Sequence, residues 1–317
     1  MAHIDRHLRI PGNEPTEIPS VKMLDRRYVR ALSNAAQNPT FHNSTITQRL
    51  HAAREGELLL IDEEFEGLDV NTDLSAYLTT EHDSQKVLGA TRQESSKGVR
   101  FGQLLFEGVR NAFAQEYVAA KATSVEAAVS EAAAAWFVNQ WTAETGMQTY
   151  SPIGFLKTAP QRVQLLTRYV GNTLTFDNVL WNESGGVTEN QVADALSKSA
   201  VSLATLHAGY RLSHGDAQPK NMAWDHASNG PWAVDLEDAT RHIKGADWDF
   251  ENSVKMDLSE LMLVQPKKRS EDMFELVAQK YIDHYRGISS NLSPIPVSKD
   301  EIMRMRNEKL RRLPRVT

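Results

Sequence analysis

The chain has 317 residues, of which 41% are hydrophobic and 24% charged, so it holds enough apolar material for one large core or two lobes and too much for a mainly disordered chain. A formal net charge of -6 gives no overall positive field, which excludes non-specific, charge-driven holding of nucleic acid or an anionic membrane; any such contact would be local. The absence of cysteine excludes disulfides and cysteine-ligated zinc.

The opening residues MAHIDRHLRIPGNEPTE lack the apolar centre of a signal peptide. No later run approaches the ~20 apolar residues that span a bilayer. A cytoplasmic protein with no membrane partner is therefore expected, and the Asn-x-Ser/Thr triplets at Asn43, Asn182 and Asn291 read as chance matches. Residues 1–85 read as a polar extension of unassigned role, proline-dotted at the start, with short helical patterns around Val21 to Ala36 and Thr47 to Glu55. Between Gln85 and Thr123 come strand-like runs at Lys86–Leu88, Gly102–Phe106 and Glu116–Lys121, which predict a small antiparallel sheet.

An alanine-rich run from Ser124 to about Trp141 predicts a helix. A loop with Pro152 and Gly154 follows, then an apolar strand from Gln161 that ends at Gly171 and runs into a connector. Val192, Leu196, Leu203 and Leu206 give the stretch from Gln191 to Ala208 one broad apolar face, the mark of a helix. Two short strands, Met222–Trp224 and Trp232–Val234, bracket the turn Ser228–Pro231. Helices are predicted around Asp257 to Val264, Ser270 to Tyr285 and Lys299 to Leu313. The chain shows no internal repeat and no low-complexity tract.

The chemistry concentrates in His214-Gly215-Asp216-Ala217-Gln218-Pro219-Lys220-Asn221 and, beginning eighteen residues after Asp216, Val234-Asp235-Leu236-Glu237-Asp238. These segments resemble the H-G-D-x-x-x-x-N and V/I-D-x-E-D-A patterns of kinase-like phosphotransferases, a group that includes the aminoglycoside phosphotransferase and choline kinase families and compact Bud32-like atypical kinases. The resemblance implies an α+β, protein-kinase-like bilobal fold, with a small sheet-and-helix lobe at 86–170 and a mainly helical lobe at 171–317. It implies that Asp216 is the catalytic carboxylate, and that Asn221 and Asp235 hold Mg2+ beside ATP. Phosphoryl transfer to a hydroxyl asks for those types: a carboxylate to orient the hydroxyl and take its proton, and hard oxygens for the metal.

Val118-Ala119-Ala120-Lys121 is similar to the V-A-I-K strand of this group, and Glu131, ahead of an alanine run and Trp136, to the glutamate of the next helix. Lys121 would then meet the phosphates and Glu131 would hold it, with Glu126 the competing partner. The segment Leu165–Val170, including Thr167 and Tyr169, resembles the hinge that binds adenine through backbone groups. His207 closes a helix ending in L-x-x-L-H and reads as a packing residue. Asp257 resembles the aspartate that braces the catalytic-loop backbone.

The chain departs from the pattern in several places. It has no G-x-G-x-x-G, so Glu107–Asn111 and Ser95–Gly102 are the candidates for a loop over the phosphates, and the lack of a Walker A motif excludes a P-loop kinase. Gln218 stands where related enzymes carry lysine or histidine, and Leu236-Glu237 replaces Phe-Gly, so no flipping switch is expected. Lys267, Lys268, Arg269, Arg304, Arg306, Lys309, Arg311, Arg312 and Arg315 make the tail basic: a solvated helix face by default, or a dock for an acidic partner or RNA.

Small-molecule kinases of this group insert helices between hinge and catalytic loop. The interval from Val170 to His214 has room for little beyond one loop and one helix, which tilts the acceptor toward a protein or other macromolecule. A small-molecule phosphotransferase and a pseudokinase-type nucleotide-binding regulator are the alternatives, with nucleotidyl transfer a minor one.

Overall fold

The structure, a computed structural model, describes residues 16–18, 20–23, 30–31, 34, 36, 41–61, 74–79, 99–107, 113–168, 173–175, 188–225, 230–243, 247–263, 271–289 and 297–312. In chain order the strands are β1 (Thr16–Ile18), β2 (Ser20–Met23), β3 (Glu57–Leu60), β4 (Leu74–Thr79), β5 (Val99–Glu107), β6 (Phe113–Ser124), β7 (Gln148–Thr149), β8 (Pro152–Ala159), β9 (Arg162–Arg168), β10 (Thr173–Thr175), β11 (Leu212–Ser213), β12 (Met222–Asp225), β13 (Gly230–Ala233) and β14 (Thr240–Arg241). The helices are α1 (Ser44–His51), α2 (Val125–Gln140), α3 (Thr142–Thr145), α4 (Glu189–Tyr210), α5 (Asp247–Leu261), α6 (Glu271–Ser289) and α7 (Lys299–Arg312). The chain divides into two compact units, one made of Met1–Leu32, Asn43–Ala132 and Tyr150–Gly171, the other of Ser33–His42, Ala133–Thr149 and Asn172–Thr317.

The first unit is built on one eight-stranded sheet in the order β1-β4-β5-β6-β9-β8-β3-β2. Its neighbours run antiparallel except β2 and β3, which are parallel. The sheet is larger than expected because residues 1–85 supply four of its strands. Those segments are three to six residues long, too short for an alternating pattern to show. The helical pattern at Val21 to Ala36 begins inside β2, while Arg30, Ala31 and Asn34 are helical. Lys86–Leu88 lies outside the described residues.

Helix α1 overlaps the pattern at Thr47 to Glu55 but begins three residues earlier and ends at His51. Asn43 caps it, its side-chain oxygen accepting from the Ile46 amide at 3.0 Å, and Ile46 and Leu50 are fully buried. β3 lies inside the sheet, and all four of its residues are buried. Its acid, Glu57, is met by the Arg49 guanidinium at 2.8 Å.

The expected loop at Pro152 and Gly154 is instead β8. Proline is tolerated as the first residue of a strand. Gly154 pairs with Leu60, and a Cβ there would lie 2.4 Å from the Leu59 carbonyl oxygen, so the glycine marks close backbone approach. Helix α2 is buried nearly all round, with Ala132 to Ala135 and Val138 inaccessible, which is why its residues show no polar face.

The second unit holds a four-stranded sheet, β10-β12-β13-β7, and the two-stranded ribbon β11-β14. α4 starts with a capping box: Thr188 Oγ1 accepts from the Gln191 amide at 3.3 Å, and Gln191 Oε1 accepts from the Thr188 amide at 2.8 Å. α5 starts ten residues earlier than expected. Its first turns carry the acids Asp247, Asp249 and Glu251, but buried Phe250, Val254, Leu258 and Leu261 keep the helical period throughout.

The tail is also less solvated than its charge predicts. Arg306 on α7 is buried, with its guanidinium 3.6 Å from the Phe274 ring centroid and hydrogen-bonded to the Met262 carbonyl. Lys309 meets Glu260 at 2.7 Å, leaving Arg304, Arg311 and Arg312 as exposed tail cations. Lys267, Lys268, Arg269 and Arg315 lie outside the described residues. Among the described residues no helix is long and apolar enough to cross a membrane.

Candidate active site

β11 delivers the chain into His214-Gly215-Asp216. Gly215 has φ +85°, and a Cβ on it would come within 2.3 Å of the Asp238 carbonyl oxygen, so only glycine fits this turn. The close approach fixes the HGD turn against the 3-10 turn Leu236–Asp238, which immediately follows Asp235. β12 and β13 bring the other two candidates together: the Val234 amide donates to the Asn221 carbonyl at 2.9 Å, which sets Asn221 beside the residue preceding Asp235. A short hairpin thus closes the gap of fourteen residues between them.

Asn221 is buried and donates through Nδ2 to Asp216 Oδ2 at 2.7 Å and to the Asp216 carbonyl at 2.9 Å. That orientation leaves the Asn221 amide oxygen as the atom able to meet a cation. Lys220 Nζ lies 3.7 Å from Asp216 Oδ2. Asp235 sits in the left-handed region at φ 60°, ψ 58°, a conformation that costs a non-glycine residue energy and that aspartate tolerates better than most. Asp235 and Glu237 each place a carboxylate oxygen within 4.8 Å of the other's.

The loop backbone is held from below by Asp257 of α5, which is fully buried. Its Oδ2 accepts from the His214 amide at 2.6 Å and its Oδ1 from the Gly215 amide at 2.9 Å. His207 Nε2 is 3.1 Å from the same Oδ2, and Nδ1 is 2.8 Å from the Tyr281 hydroxyl. Facing an acceptor-only carboxylate, Nε2 carries a proton, and in the neutral ring Nδ1 then accepts from Tyr281. Burial pushes the Tyr281 hydroxyl well above its ordinary pKa, which keeps it a donor. His207 is therefore a core residue in a buried relay of hydrogen bonds, and Asp257 braces the loop as the sequence suggests.

In the first unit, Lys121 on β6 meets Glu131 on α2 at 2.8 Å, with only 12% and 3% of the two side chains exposed. The Glu126 alternative instead reaches His51 Nε2 at 2.9 Å on the surface. Glu131 Oε1 also accepts from the Tyr150 hydroxyl at 2.5 Å. Thr167 is buried at the end of β9, across from Ala119 of β6, two residues before Lys121. Tyr169 lies outside the described residues. Of the two phosphate-loop candidates, Ser95–Gly102 runs into β5 from Val99 onward, so that half is strand, and Glu107–Asn111 leaves the described residues after Glu107.

No protein-family model matches the chain, and no curated protein matches it. Among solved structures it is similar to that of WaaP in complex with acyl carrier protein, at 12% identity and a TM-score of 0.46, over 74% of this chain and 98% of that one.

Two residues escaped the sequence. Glu237 sits two places after Asp235 and was visible as part of D-x-E-D, where only the first acid was given a role. Tyr150 carries no local signal, since it lies nineteen residues from Glu131 and on a different element.

Proposed function

We propose that this chain is an ATP- and Mg2+-dependent phosphotransferase that moves the γ-phosphate to a hydroxyl acceptor, with Asp216 as catalytic base. The observation that carries it is the contact of Asn221 Nδ2 with Asp216 Oδ2, inside a loop packed closely at Gly215 and bonded from beneath by buried Asp257. An ordinary turn has no need of a buried asparagine bonded to a partly exposed aspartate.

The donor set fits magnesium: the amide oxygen of Asn221 and the carboxylates of Asp235 and Glu237 are all hard oxygens. When bound, the metal supplies positive charge against the phosphate oxygens. The chain's own residues do the remainder. Asp216 accepts a hydrogen bond from the acceptor hydroxyl, orients it and takes its proton as the oxygen attacks. The Lys121 ammonium, kept in place by Glu131, meets the phosphates. Backbone groups around Thr167 hold the adenine.

The acceptor is a protein or other macromolecule. Among the described residues α4 is the one helix between β10 and β11, and His214 follows Val170 by only 44 residues, which favours this acceptor class over a small-molecule pocket built from inserted helices. The test is incubation of purified protein with γ-labelled ATP and magnesium, alone and with cell extract, beside Asp216→Ala. Label on protein that falls roughly 10²- to 10⁴-fold in the variant is the expected result. Label confined to small metabolites would replace the acceptor class, and undiminished labelling by the variant would overturn the role of Asp216.

A further inference from the structure

The Lys121–Glu131 pair has a third member. A carboxylate held on one oxygen can still turn about its last side-chain bond, and the ammonium it holds turns with it. Here both oxygens of Glu131 are occupied, Oε2 by Lys121 at 2.8 Å and Oε1 by the buried Tyr150 hydroxyl. Tyr150 is itself tied to the far end of β9: the next residue, Ser151, accepts at its carbonyl from the Arg168 amide at 2.9 Å, and Pro152 pairs with Thr167. One tyrosine therefore joins the ion pair to the strand end proposed to hold adenine, all within the first unit.

We propose that Tyr150 is a positioning residue for the nucleotide, fixing the plane of the Glu131 carboxylate and, through it, the Lys121 ammonium. The proposal rests on the phosphotransferase reading of Lys121. It acts without touching the nucleotide, so its signature is an effect that exists only while Glu131 is present.

The experiment is a double-mutant cycle read as Kd for Mg-ATP by titration calorimetry, on wild type, Y150F, E131A, and Y150F/E131A, with melting temperatures for each. Y150F removes one oxygen and keeps the ring. It is expected to weaken Mg-ATP about 10-fold, the usual scale for a hydrogen bond to a charged group, and to add less than about two-fold in the E131A background. If E131A does not fold, E131D, which retracts the carboxylate by one methylene, takes its place in the cycle. A Y150F loss of the same size in both backgrounds, or no loss with Glu131 present, overturns the proposal while leaving the role of Lys121 standing. K121M separates the two: if it binds Mg-ATP as wild type does, the reading of Lys121 fails and the proposal fails with it.

Discussion

Replacing Asp257 by alanine removes the acceptor for three donors at once: the amides of His214 and Gly215, at 2.6 and 2.9 Å, and His207 Nε2, at 3.1 Å. Asp257 and His207 are fully buried and His214 nearly so, so water does not readily take over. A buried donor left without a partner costs roughly 1–3 kcal/mol, which would sum to about 3–9 kcal/mol if nothing relaxed. Partial collapse around the shorter side chain lowers that, so a loss of about 4 kcal/mol is expected. Against a typical total of roughly 5–15 kcal/mol, this is a large fraction.

Urea unfolding followed by tryptophan fluorescence reads the right part of the molecule, because the five described tryptophans, Trp136, Trp141, Trp224, Trp232 and Trp248, all belong to the second unit. Asp257→Asn should not rescue, since its amide group turns a donor toward donors. A loss below about 1 kcal/mol in Asp257→Ala would refute the account of the loop as braced from beneath.

Asp235→Asn should weaken Mg-ATP binding more than binding of metal-free ATP; equal effects in calorimetry would count against a metal role. Glu260 supplies a pH dependence. Burial, the largest cause, raises its pKa above the ordinary carboxylate value, and the Lys309 contact only partly offsets it. A raised folded-state pKa means the native state holds its proton more tightly, so this group's favourable contribution is complete below the ordinary carboxylate range and is lost as pH rises through the folded-state value. Glu260→Gln should therefore gain stability relative to wild type from pH 4 to pH 7 in urea unfolding; a constant difference would sink that assignment.

The parts of the site legible in the sequence are those set by short spacing or by period. Asp216 and Asn221 are five residues apart in one loop, and Asp235 follows through a hairpin whose strands show as apolar runs around a Gly-Pro turn. Lys121 and Glu131 are ten residues apart across a strand end and the first turns of a helix, so local geometry nearly determines their meeting. What escaped depends on distant partners. β8 hid behind Pro152 and Gly154 because only the backbone of Leu59 shows why a glycine is needed there. The strands of residues 1–85 carry no period long enough to read. Arg306 looked like one more surface cation because the Phe274 ring and the Met262 carbonyl that enclose it lie 32 and 44 residues away.

The buried relay also fixes the order in which a working protein can arise. His214 is bonded to a residue 43 positions downstream, and His207 to one 74 positions downstream. As the chain emerges from the ribosome, the HGD segment is complete well before α5 and α6 exist to receive it. Until Asp257 arrives, the two amides of His214 and Gly215 lack the acceptor they have in the folded chain. The braced loop is consequently a late product of folding: a nascent chain carries His214, Asp216, Asn221 and Asp235 before it holds the residue that fixes the loop beneath them.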